Sequence, residues 1–559
     1  MSVADILPKS EEATRPAPQE KIWDASGPTS EYFPVTTRSG VLLVLALSSI
    51  FFITCLNRLH HTDLWGHLAF GRWIAAHDAL PTSDPFGAFP STAPFSNMPW
   101  LAQLTEYATW ESLGADGLVL LHGLLATVGC GFLAAAIYRR GVPLNWAMIG
   151  SVAAYVVALP TIGVIRPQLF GVVGVPAILW AVTELGVAWH PVFWLPAVFA
   201  LWANLHGSFA VGLVVLGLGS LAAGLEAYRN AGNLAAVLQD GKTQRLFLAT
   251  FAAACGALLN PLGIGLFFLT ASFGSHEALD NITEWQMMDP VSLTGGLFIA
   301  TLAITVLAAY KSRRGWEGIE ALLLIAFAGF AVSAMRMLPW WAMIWPWAIA
   351  PHVADAWSAL QNGGTDEATD EAPAEAGTTM NTILAMGIVF ATLLLAPPTN
   401  SLVLGRERGL GVVASTETPL ALADELNRRN IREAIFAPID LADYLVWQTN
   451  GNVKPLAYTH VHLLDKELWR DQQAISSGQD DWMRVADRRG IRYLVFDRER
   501  SKHLIGKLFS HPRARVVYQD QQTMLVRVVP KVDPKPAAKK EEKSTESKVL
   551  LGPVPPTAG

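Results

Sequence analysis

Two titratable side chains stand four residues apart in HTDLWGHLAF: Asp63 and His67. Helical spacing puts both on one face. Trp65, Phe70, Trp73 and Ile74 give that helix apolar flanks, the pattern of a segment lying at a membrane–water interface. A carboxylate and an imidazole held there would meet a substrate half in lipid and half in water, as a lipid-linked sugar is. Asp84 closes the same stretch, His61–Phe86. Farther on, single polar residues interrupt apolar sequence: Arg166 in IRPQLF, Asn204 and His206 in WANLHGSF, Asn260 in LLNPLG, Glu284 in ITEWQMMDP and Arg336 in SAMRMLPW. Each has a structural alternative. Asp63 could cap its helix and His67 could pack at the interface. Asn260 before Pro261 reads as a helix terminator. The arginines could pair with Asp63 or Glu284 and tie helices together.

The elements that position these residues are membrane helices. The chain has 559 residues, 52% of them hydrophobic and 16% charged, against about 25% charged in soluble domains. Mean hydropathy is +0.32. About eleven apolar runs have membrane-spanning length, at 40–57, 117–138, 144–161, 169–187, 190–205, 208–226, 246–269, 294–310, 318–335, 339–353 and 379–396. Basic residues Arg139, Arg140, Arg229, Lys242, Arg245, Lys311, Arg313 and Arg314 fall on one side in this count. The positive-inside rule makes that side cytoplasmic. The first loop, 58–116, then faces outward with Asp63, His67 and Asp84, and the other interrupting polar residues gather towards the same face. The inner ends carry only basic flanks. Trp285, Trp340 and Trp341 read as interfacial belt residues. Intramembrane ionisable groups are costly and face a wet interior, so one outer cavity is the economical reading. The net charge of −6 offers no basic surface for nucleic acid. Cys55, Cys130 and Cys255 lie in apolar runs without metal or disulfide spacing.

Residues 411–529 change character. Strand-like IREAIFAPI, KPLAYTH and IRYLVFD alternate with helical segments and end in a hairpin, ARVVYQD with TMLVRV. That order predicts an α/β domain with a largely parallel sheet, here extracytoplasmic. Tyr458, His460, His462 and Asp465 follow its second strand, either as ligands for a polar group or as surface-loop residues. Segments 1–39, a cytoplasmic N-terminus, 357–378 and 530–559 have the composition of disordered chain.

Asp63–His67 with GRWIAAHDALPTSDPF, then PWLAQL, RPQLF, WANLHG, NPLG and EWQ, resembles a group of bacterial polytopic proteins related to the GT-C glycosyltransferases. The superfamily includes protein O-mannosyltransferases and aminoarabinose transferases. The resemblance implies a cytoplasmic (inner) membrane enzyme that takes sugar from a polyprenyl-phosphate donor and passes it to a glycan or protein acceptor outside. It places Asp63 at the acidic position of the first outer loop and Asp84 at a second acidic position. Asp63 becomes the base for the acceptor hydroxyl, oriented or replaced by His67. Arg166 and Arg336 become the donor-phosphate ligands, since a guanidinium matches phosphate oxygens in a fork. Asn204, His206 and Glu284 become ligands for sugar or acceptor hydroxyls. The adjacent acidic pair usual in the family is absent, because Leu64 follows Asp63. A divalent metal stays open; a nucleotide is not required. The alternatives are a non-catalytic envelope assembly protein on the same scaffold and a transporter.

Overall fold

A computed structural model describes residues 36–530, apart from 93–94, 273, 275–278, 280–281, 362–376 and 479–481. Most of the segments expected to be disordered lie outside the described residues. Helices come first: α1 (Arg38–Cys55), α2 (Leu64–His77), α3 (Trp100–Tyr138), α4 (Leu144–Ile162), α5 (Leu169–Leu185), α6 (His190–Leu205), α7 (Phe209–Ala231), α8 (Leu234–Gln239), α9 (Gly241–Ala257), α10 (Gly265–Ser272), α11 (Leu293–Lys311), α12 (Gly318–Ser333), α13 (Leu338–Gln361), α14 (Thr379–Leu395) and α15 (Pro397–Leu404). After the short α16 (Leu410–Val413) come α17 (Leu420–Arg428), β1 (Ala434–Phe436), α18 (Ile439–Gln448), β2 (Lys454–Pro455), α19 (Lys466–Ser477), α20 (Trp482–Arg489), β3 (Tyr493–Asp497), α21 (Lys502–Ser510), β4 (Ala514–Gln519) and β5 (Thr523–Val528).

Each expected apolar run holds helix, but the helices do not all match spans. Among the described residues, five helices are long and apolar enough to cross a membrane: α1, α3, α4, α7 and α11. The bent pair α14–α15, folded by 74°, makes a sixth if counted as one. The run 246–269 is broken. Helix α9 stops at Ala257 because the Asn260 amide donates to the carbonyls of Ala257 and Gly263 and accepts from the Leu262 N–H, and Gly263 takes φ +52°. Helix α3 begins at Trp100, well before residue 117, and bends at Gly114, whose φ of 62° costs a glycine little.

Several tryptophans also depart from expectation. Trp65 and Phe70 are fully buried in protein rather than facing lipid. Trp65 packs edge-on against Tyr444 of α18 and Trp110 of α3, at 4.9 and 5.8 Å between ring centres. Trp340 and Trp341 are core residues of α13, not belt residues, and the Trp341 indole donates to Thr301 of α11. Large aromatics in a bundle find more contact inside than at its rim.

The C-terminal unit is a five-stranded sheet in the order β2-β1-β3-β5-β4. Pairings β2–β1 and β1–β3 are parallel, whereas β3–β5 and β5–β4 are antiparallel. The sheet is therefore mixed, because the closing hairpin enters through β5 against β3. The expected strand KPLAYTH pairs only at Lys454–Pro455, and the chain then leaves the sheet.

This unit is docked on the bundle through α2. Arg72 lies over the Trp447 ring at 4.1 Å and donates to Asn450 and to the Trp447 carbonyl. Leu59 exchanges backbone bonds with Val413 and Ser415. The Ala88 N–H donates to the Pro455 carbonyl, which lays the first loop along the sheet edge. One hydrophobic core runs without a break from the bundle through Trp65 and Phe70 to Tyr444 and Trp447. A second lies on the sheet around Phe436, Phe496 and Trp469.

Candidate functional site

Asp63 occupies the N-cap position of α2, yet its side chain makes no cap hydrogen bond. Its backbone stands at φ 53°, ψ −59°, a conformation that is strained for a residue with a Cβ. The helix-cap reading fails for that reason: the side chain is turned out of the helix instead. The Arg166 Nε, from the turn between α4 and α5, lies 2.5 Å from Asp63 Oδ2. The other end of the same guanidinium reaches Glu284 Oε2 at 2.7 Å. Arg336, in the turn between α12 and α13, approaches that oxygen at 3.3 Å and sits 5.3 Å from the centre of the Trp285 ring. Four loops far apart in sequence thus meet in a ring of two carboxylates and two guanidiniums. Burial would raise the Asp63 carboxyl, but Arg166 and then Arg336 hold it below the ordinary carboxylate range. Glu284 is lowered too: burial works against this, and the bond from Arg166 decides it.

Two imidazoles from the bundle adjoin the ring. His67 follows Asp63 by one helical turn, its backbone N–H donating to the Asp63 backbone carbonyl at 3.0 Å. The Gln103 amide, itself held by Asn97, points Nε2 at His67 Nδ1 across 3.3 Å. Gly71 permits this approach, since a Cβ there would meet the Gln103 carbonyl at 2.1 Å. His206 Nδ1 accepts the Ser208 N–H at 3.0 Å, so its ring proton resides on Nε2. Burial first, then neighbouring positive charge, pushes both down to about 3. At neutral pH each is an uncharged imidazole.

The C-terminal unit closes the site from the opposite side. Asp443 of α18 is wholly buried against α2, where a Cβ on Gly66 would stand 3.0 Å from its carboxyl carbon. The Thr459 hydroxyl bonds the Asp443 carboxyl and also faces Asp63. Burial, then the nearby Asp63 charge, pushes Asp443 up to about 8. A protonated acid and an ionised one therefore share a hydroxyl. Next along the chain, His460 is 6% exposed. Its ring lies 5.0 Å from His67, 4.8 Å from Phe70 and 5.3 Å from Tyr458 between centres. Neither ring nitrogen has a hydrogen-bond partner among the described residues. An unmet buried polar atom costs roughly 1–3 kcal/mol, which structure rarely tolerates without cause.

The structure brings together Asp63, His67, Arg166, His206, Glu284 and Arg336 from the sequence-derived set. Asn204 stands beside them with its amide already engaged, accepting from Trp100 and donating to the carbonyls of Ala200 and Leu259. Asp84 lies apart from the ring. It accepts the Tyr458 hydroxyl at 2.8 Å and the Phe86 N–H at 2.9 Å, a loop-holding role. Asp465 is the N-cap of α19. Sequence reasoning missed Asp443 and Thr459, and ranked His460 with surface residues. Polar residues in α/β sequence are ordinary, and only docking on α2 turns these inward. The inner ends are also not plain basic flanks: Arg140 bonds Glu320, which is fully buried and also bonds His352 at 3.1 Å. Among the described residues, no three His, Cys, Asp or Glu side chains converge with metal-ligand spacing.

The fold is similar to that of solved membrane glycosyltransferases. The chain is similar to the archaeal oligosaccharyltransferase AglB of Archaeoglobus fulgidus, solved with an inhibitory peptide and a dolichol-phosphate, with a TM-score of 0.51 at 13% identity over 82% of this chain and 69% of that one. It is also similar to the mycobacterial arabinofuranosyltransferase AftD, with a TM-score of 0.52 at 16% identity over 89% of this chain and 40% of that one. Another likeness, to ArnT of Cupriavidus metallidurans, has a TM-score of 0.48 at 15% identity over 87% of this chain and 97% of that one. No protein-family model and no curated protein matches the chain by sequence.

Proposed function

We propose that the protein is a membrane glycosyltransferase that moves a sugar from a polyprenyl-phosphate donor to an acceptor hydroxyl on the side away from the cytosol. The observation that carries this reading is the Asp63–Arg166–Glu284–Arg336 ring, set beside neutral imidazoles on the fold of the GT-C enzymes. Two guanidiniums supply the fork geometry and charge that a phosphodiester leaving group requires. Asp63 accepts the proton of the acceptor hydroxyl as that oxygen bonds to the anomeric carbon. The bond from that carbon to the phosphate oxygen breaks, and its electron pair leaves with the polyprenyl phosphate. The configuration inverts.

The resting ion pairs give the site an order of events. Arg166 holds Asp63 as a weak base while the donor is away. An arriving phosphate competes for Arg166 and Arg336, and Asp63 loses its counter-ion. Its basicity then rises when the donor is present. Glu284, released by the same exchange, is available to sugar hydroxyls, and His206 and Asn204 line the approach. His67 orients Asp63 from the next turn of α2.

The proposed orientation puts this face in the extracytoplasmic space, with the docked unit 411–529 on the same side. The experiment is a comparison of envelope and secreted glycans from cells with and without the protein. The expected result is loss of one glycan species, or its accumulation without a terminal sugar. Identical glycan profiles would overturn the proposal.

A further inference from the structure

His460 stands out from every other titratable group near the ring. It is buried, it comes from the C-terminal unit rather than the bundle, and both of its ring nitrogens lack partners among the described residues. His67, by contrast, has Gln103, and His206 has Ser208. Thr459, the preceding residue, touches both Asp63 and Asp443, so the backbone carrying His460 is held at the reacting face. Its neighbours are aromatic: Phe70 and Tyr458 flank it, and His67 meets it edge to face at 70°.

We propose that His460 anchors a sugar-hydroxyl subsite beside Asp63, one ring nitrogen donating to and the other accepting from a neighbouring pair of hydroxyl groups. The chemistry of the place selects this class of ligand. Burial and the adjacent imidazoles hold His460 well below its ordinary range, so it is neutral. A neutral imidazole offers one donor and one acceptor, the pair that a vicinal diol matches. An anion gains nothing from it and would be repelled by Asp63. A metal is disfavoured by the edge-to-face rings and by the lack of a third converging ligand among the described residues. The inference deepens the transferase reading and rests on it. The hydroxyl pair could belong to the donor's sugar or to a glycan acceptor, which share this chemistry.

The test uses the purified full chain in micelles and a panel of methyl hexopyranosides and methyl pentofuranosides, read by saturation-transfer NMR. At least one glycoside should give an enhancement in the wild type. His460→Leu should reduce it at least fivefold, and His460→Gln, which keeps a donor and an acceptor, should retain a substantial part. Both variants should bind undecaprenyl phosphate within twofold of wild type, which also reports an intact fold. A prenyl phospho-hexose that displaces the glycoside, where the bare prenyl phosphate does not, assigns the subsite to the donor sugar; displacement by neither assigns it to the acceptor. No enhancement with any glycoside, or an enhancement that survives His460→Leu, overturns the proposal. Failure of undecaprenyl phosphate to bind the wild type would instead overturn the donor assignment and leave the glycoside result standing.

Discussion

Replacing Arg166 by Leu perturbs the ring at its most connected point. Arg166 alone contacts both carboxylates, at 2.5 and 2.7 Å, and its side chain is 12% exposed. Breaking a buried ion pair by removing one partner costs about 3–5 kcal/mol. Asp63 is 21% exposed and Glu284 32%, and Arg336 still faces Glu284, so water and Arg336 recover part of that. A destabilisation of about 2–3 kcal/mol is expected. Binding should suffer separately. A hydrogen bond to a charged group contributes roughly 1.5–3 kcal/mol, so the dissociation constant for undecaprenyl phosphate should rise about 10- to 150-fold. The partner variant Glu284→Gln should move binding the other way. Its amide no longer competes for the two guanidiniums, and the phosphate should bind more tightly even as stability falls. The assay is equilibrium binding of undecaprenyl phosphate to the full chain in nanodiscs, paired with thermal unfolding. If both variants lose stability and neither changes the affinity by more than twofold, the ring is a structural clasp and the phosphate assignment is refuted.

Four further outcomes follow from the same geometry. Asp443, pushed up to about 8 by burial, favours the folded state most at low pH, and its contribution is lost as pH rises through 8. Thermal stability should therefore fall as pH rises from about 4 to about 8 in the wild type and level off above it, and the fall should be shallower in Asp443→Asn. His67 and His206, both pushed down to about 3, have the opposite sign: stability should fall as pH drops from 6.5 towards 3, with a smaller drop in His206→Gln. Arg72→Ala removes two hydrogen bonds and a ring contact between α2 and α18, so a loss of about 1–3 kcal/mol and faster proteolysis of the C-terminal unit are expected. In a background without native cysteines, thiols placed at exposed Glu499 and exposed Asn233 should label from opposite sides of the membrane, Glu499 from outside; labelling of both from one side would contradict the orientation.

What the sequence disclosed, and what it hid, divides along one line. Arg166, Glu284 and Arg336 stood out because a lone charge flanking an apolar run has few ordinary explanations, and three such charges on one expected face imply a meeting point. The helical runs were legible for the same reason, and Asn260 before Pro261 already read as a terminator inside the run 246–269, although composition could not register that α3 starts as early as Trp100. The α/β alternation of residues 411–529 was visible, whereas the antiparallel entry of β5 was not, because periodicity carries no direction. Asp443 and His460 were hidden by their surroundings: polar residues are common in such a unit, and only the docking of α18 on Gly66 gives them a site to face. Glu320 was hidden by distance, since its partners Arg140 and His352 lie far off along the chain.

The central claim is that Asp63 is the base of a sugar transfer. The direct measurement is the glycan profile of cells lacking the native protein and supplied with Asp63→Asn, in which shape is kept and the proton acceptor is removed. With the variant present in the membrane at wild-type level, the account predicts the same missing glycan species as in cells with no protein at all. Full restoration of that species by Asp63→Asn would contradict it.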